Sequence, residues 1–174
     1  MRRRRIEGWD SWQRQTDEGA VESQQRITID RPVVEFDAEG ARRLGDTYWR
    51  EVERVTLGLV RMRARTGRHE LRVFGRRPVL LRFGEPQLEV SNELVRCRYP
   101  IAGGALARRA EGEIDFVQRA GDPVELSTTV RDFFPALAAR EGRPHWTGAL
   151  YGQVQSRIHV IVSRRYFARL LDAT

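Results

Sequence analysis

A chain of 174 residues carries enough apolar material for one hydrophobic core and too little for two, so a single domain is expected. Its 31 basic residues are all arginine, a bias expected of a GC-rich genome, and the net charge of +7 invites an anionic partner, although Arg2 to Arg5 stand together at the very start. A lone Cys97 excludes an internal disulfide and the usual cysteine-based zinc sites; no run reaches the roughly 20 apolar residues that cross a bilayer, and a soluble cytoplasmic protein with no transmembrane segment is expected.

Residues 1–25 are charged and polar, with Trp9 and Trp12 isolated among Asp, Glu, Gln and Arg. Such a composition predicts a flexible N-terminal arm, followed by one domain over residues 26–174. The arm offers weak anionic contacts through Arg2, Arg3, Arg4 and Arg5, and its tryptophans leave open a docking role against this subunit or another, the latter giving a homodimer.

From Ile27 to Phe36, β-branched residues predict a first strand, with Pro32 forcing an edge position or a bulge. Asp37 can cap a helix whose apolar stripe is Ala41, Leu44, Tyr48, Val52 and Val55, with Arg42, Arg43, Arg50 and Arg54 outside and Trp49 one step round. The period then changes to two for about seventy residues. Val60, Met62 and Ala64 alternate with Arg61, Arg63 and Arg65; Leu71 and Val73 flank Arg72; further strands are predicted over 79–83, 87–90, 94–101, 112–119 and 124–131. Val95, Cys97, Tyr99 and Ile101 fall on one face, as do Val124, Leu126, Thr128 and Val130. Short turns between these runs predict antiparallel neighbours, a meander. The arginine row of Arg61, Arg63 and Arg65 is expected to face acids such as Glu113, Asp115 and Glu125.

The last segment, Trp146 to Leu171, keeps a helical period. Tyr151, Val154, Ile158, Ile161 and Val162 lie along one side, Thr147 stands at the N-cap position with Trp146 able to staple onto Tyr151, and Arg164, Arg165 and Arg169 gather at the end. Gln155 and His159 flank the apolar stripe, either bonded at its rim or as the polar handles of a pocket.

This order of elements, a strand, a helix, a run of antiparallel strands and one long C-terminal helix, resembles that of the START-like (helix-grip, SRPBCC or polyketide-cyclase-like) superfamily. The resemblance implies an α+β fold in which a curved antiparallel sheet grips the C-terminal helix. It also implies a cavity between them for a hydrophobic small molecule, lipid- or polyketide-like. Carried onto this chain, it would direct Tyr151, Gln155, Ile158, His159 and Val162 into that cavity. Met62, Val73, Phe83, Cys97, Tyr99, Phe116, Leu126 and Thr128 would be its walls.

No nucleophile elbow, phosphate loop, dinucleotide fingerprint or metal-ligand spacing occurs, and no cofactor or metal is expected. His69, His145 and His159 are scattered. If there is catalysis, His159 is the first candidate acid or base, with Tyr99 or Tyr151 as proton donors. Binding of a hydrophobic small molecule, as the resemblance implies, is the first expectation. An arginine-rich module for nucleic acid or anionic lipid is the alternative, and a cyclase- or hydratase-like enzyme using the same pocket is a further one.

Overall fold

In a computed structural model, residues 8–65, 67–76, 78–136 and 160–173 are described. They form an α+β arrangement of one large antiparallel sheet and two helices. The strands are β1 (Asp10–Gln15), β2 (Val21–Ile29), β3 (Val60–Arg65), β4 (Arg68–Val73), β5 (Val79–Phe83), β6 (Gln87–Val90), β7 (Leu94–Gly103), β8 (Glu113–Arg119) and β9 (Val124–Phe133). Helix α1 spans Ala38–Val55, and residues 160–172 are helical and are called α2. The sheet runs β1-β2-β9-β8-β7-β5-β4-β3, with β6 paired to β7 beside β5, and it does not close.

The strands after α1 follow the predicted alternation. Along β7, Val95, Cys97, Tyr99 and Ile101 are buried on the face that α1 covers. Across the sheet, register sets Cys97 opposite Phe116, and Phe116 opposite Thr128, which lies opposite Gln25. Helix α1 begins as expected, with the Asp37 carboxylate accepting from the Gly40 N–H at 2.6 Å. Its buried stripe is wider than expected and includes Gly45 and Trp49.

The N-terminal region differs from the arm expected over residues 1–25. Residues 10–15 and 21–25 belong to strands, and β2 pairs with β9 from Val21 to Ile29. The polar composition misleads because the buried side of β2 is itself polar: Ser23 and Gln25 are covered with Ile27. The ladder that satisfies this strand comes from the other end of the chain. The strand expected over 27–36 accordingly ends at Ile29. Beyond it, Val33 and Val34 stay buried because the Gln118 side chain replaces a neighbouring strand: its Oε1 accepts from both backbone N–H groups at 2.8 and 3.1 Å, and its Nε2 donates to the Val34 carbonyl at 2.8 Å.

The charged rows also pair differently. Arg61, Arg63 and Arg65 lie on the edge strand β3, separated from β8 by β4, β5 and β7, and so cannot meet Glu113 or Asp115. Instead Arg98 and Arg131 bracket the fully buried Asp115 and also reach Glu113, while Arg26 takes Glu125 at 3.3 Å. In α2, Ile161 is exposed although the periodicity put it on the covered side; the buried residues are Val162, Ser163, Tyr166, Phe167 and Leu170. Tyr166 and Phe167, one step round from the predicted stripe, set that face. Trp146, Thr147, Val154 and Ile158 lie outside the described residues.

Candidate functional site

The covered face of the sheet is floored by aromatic rings. Phe116, fully buried at the centre of β8, touches Tyr48 and Trp49 from α1 and Tyr166 from α2, with centroids 4.6, 6.1 and 6.0 Å away. Tyr99 lies beside it and contacts Trp49 at 5.5 Å and Phe83 at 5.9 Å. Helix α1 can approach this closely because Gly45 sits over β7: a Cβ there would come within 2.8 Å of the Tyr99 ring and 3.1 Å of Cys97 Sγ.

At the β4 side of this floor lies a residue with a polar handle. His69 follows the same alternation as Leu71 and Val73, and its ring meets Tyr99 edge-on at 5.6 Å. Its Nδ1 is buried and finds no hydrogen-bond partner among the described residues, whereas the indole Nε1 of Trp49, on another side of Tyr99, has the Tyr99 hydroxyl beside it. Burial holds the His69 imidazole below its ordinary pKa, while the carboxylates of Asp46 and Glu85 pull the other way. Burial likewise pushes the Tyr99 phenol well above its usual range, reinforced by Cys97 and Asp46. The Cys97 thiol is pushed up to about 12, mainly by burial, with a Tyr99 hydrogen bond in partial opposition. At neutral pH this corner therefore carries a neutral imidazole, a neutral phenol and a neutral thiol. It can donate or accept hydrogen bonds, but it holds no activated nucleophile.

Toward α2 the floor becomes polar. Thr128 Oγ1 donates to Gln25 Oε1 at 3.2 Å, and Ser163 Oγ reaches the same oxygen at 3.4 Å. All three side chains are buried, and they tie β9 and β2 to α2.

Comparison with known proteins adds no analogy to this geometry. No family model, curated protein or solved structure matches the chain.

The predicted site residues are spread over the sheet. Met62 and Tyr99 lie on the α1 side, Met62 partly buried on β3 with its backbone N–H donating to Glu53 Oε1 at 3.1 Å. Thr128 and Val162 lie on the α2 side, and Phe116 lies between them. Tyr151, Gln155 and His159 are outside the described residues. His69, Trp49, Gln25 and Ser163 were missed. The first was legible as the residue two before Leu71 on an alternating strand, and the second as the position four after Gly45 on α1. Among the described residues, no three His, Cys, Asp or Glu side chains gather as a metal site, and no helix is long and apolar enough to cross a membrane.

Proposed function

We propose that the protein binds a small, largely hydrophobic molecule, lipid- or polyketide-like, on the helix-covered face of its sheet. In this reading the sheet curves around the C-terminal helix in the START-like manner. One observation carries the reading: the buried His69 Nδ1, beside Tyr99, has no hydrogen-bond partner among the described residues. Buried polar atoms are nearly always bonded, so an orphan on an aromatic floor calls for an external partner. A molecule with an apolar body and an oxygen at one end would stack on Tyr99, Phe83 and Phe116. Its oxygen would accept from the neutral His69 imidazole at Nδ1, and the indole N–H beside it would complete the contact.

The test is uptake of fatty acids and aromatic polyketides by the purified full-length protein, read by native mass spectrometry and by titration. His69→Leu removes the orphan nitrogen, and Trp49→Phe removes the indole N–H beside it. A lost hydrogen bond is worth about 0.5–1.5 kcal/mol, so each variant should bind roughly 3–10-fold more weakly. The unliganded His69→Leu protein should melt no lower than the parent, since an unsatisfied buried nitrogen has gone. Absence of uptake by the parent, or equal uptake by both variants, would overturn the reading.

A further inference from the structure

Two turns at one end of the sheet share an unusual choice of residue. The first ends α1: the Leu57 N–H donates to the Arg54 carbonyl at 3.1 Å and the Gly58 N–H to the Glu53 carbonyl at 2.7 Å, the paired bonds of a Schellman motif. The second follows β4, where the Arg76 N–H closes onto the Val73 carbonyl at 3.0 Å around Phe74 and Gly75. In each, the residue that first enters left-handed backbone is large and apolar: Leu57 at φ 52° and Phe74 at φ 50°. Glycine or asparagine normally takes such a position, because a Cβ there crowds the following carbonyl. Neither residue regains that strain through packing. Leu57 is 94% exposed and Phe74 67%.

The turns adjoin one another. The Phe74 N–H donates to the Leu59 carbonyl at 2.6 Å, and Leu59 is itself exposed, so three large apolar side chains project together. Arginines line both turns. Arg61 Nε donates to the Gly58 carbonyl at 3.0 Å, the Arg63 guanidinium lies against Gly75, and Arg72 Nη1 donates to the Arg76 carbonyl at 3.2 Å. Arg72 is paired with Glu70, whereas Arg61, Arg63 and Arg76 make no ion pair among the described residues.

We propose that this end of the molecule docks on an anionic lipid bilayer. Leu57, Leu59 and Phe74 enter the interfacial layer, and Arg61, Arg63 and Arg76 meet the headgroup phosphates. Projecting apolar tips, rather than a groove, suit a partner that yields around them, and the unpaired guanidinium groups supply the complementary charge. The surface stands apart from the aromatic floor beside Tyr99 and does not depend on what binds there.

Flotation of the full-length protein with vesicles tests this, comparing phosphatidylcholine alone with phosphatidylcholine mixed with phosphatidylglycerol. Partition onto the mixed vesicles should exceed that onto neutral ones by about tenfold. Leu57→Asn combined with Phe74→Asn relaxes both turns, so that variant should melt at or above the parent temperature yet bind about tenfold or more weakly. Arg61→Gln with Arg63→Gln should remove most of the preference for the anionic lipid. If the parent ignores mixed vesicles, the proposal fails. It also fails if the double asparagine variant binds as well as the parent, which would shift the binding to Arg2–Arg5. Loss of self-association in that variant, without any vesicle binding by the parent, would make the patch a protein contact and equally overturn it.

Discussion

Cys97, Tyr48, Tyr99 and Tyr166 share a consequence of burial that single residues make measurable. Each has its pKa raised in the folded protein, chiefly by loss of solvent. In the unfolded chain a thiol ionises near about 8.5 and a phenol near about 10. The folded state then holds protons that the unfolded state has released, and stability must fall as pH rises. The contribution is whole below about pH 8.5 and is lost progressively above it, first through the thiol and then through the phenols. Urea unfolding between pH 7 and pH 11 should show a midpoint that declines from about pH 9 upward. A midpoint unchanged to pH 11 would mean that these groups are solvated. His69 acts in the opposite sense. Its lowered pKa contributes stability above its unfolded value, and that contribution is lost as pH falls through the folded one.

Helix α1 is positioned by one glycine, and the competing magnitudes can be weighed there. Alanine is favoured over glycine in a helix by about 1 kcal/mol, whereas forcing a methyl into a packed core costs about 1–3 kcal/mol. At Gly45 the methyl would meet Tyr99 at 2.8 Å, and that ring is held by Trp49, Phe83 and Phe116 and cannot easily withdraw. Gly45→Ala should therefore lower stability by about 1 kcal/mol in urea unfolding; a gain would show that α1 rides higher on the sheet. Such contacts mark what the sequence could and could not convey. Alternation along β7 identified Val95, Cys97, Tyr99 and Ile101 as one buried face, because a strand covered on one side writes its period directly into residue type. The polar alternation of β2 carried no such signal, since Ser23 and Gln25 are buried only by partners far along the chain. The aromatic floor could be read residue by residue. That His69 leaves a ring nitrogen unbonded among the described residues is a property of its packed surroundings, which no local pattern encodes.

At the scale of the molecule, the two ends of the chain are joined across the sheet. Strand β2 lies between β1 and β9, so the N-terminal hairpin and the last strand form one continuous ladder. Trp9, just before β1, packs on Phe167 of α2 at 6.0 Å, and the Arg164 guanidinium lies 5.1 Å from the Trp9 ring centre. The buried contacts among Gln25, Thr128 and Ser163 make the same link beneath the helix. If residues 1–20 were only a polar tail, their deletion would leave stability unchanged. In this fold the deletion strips β1 from β2, exposes a new sheet edge and uncovers part of α2. Trp9→Ala isolates the last of these effects without disturbing the ladder. Loss of a partly buried aromatic contact and of its cation–π partner should cost about 1–3 kcal/mol. Truncation should cost more than the point variant and should promote association through the freed edge of β2. Unfolding midpoints and sedimentation of the two proteins together decide the matter. Equal stability of parent and Trp9→Ala would place the N-terminal segment outside the core, and the order parent, Trp9→Ala, truncation would make it part of what holds α2 on the sheet.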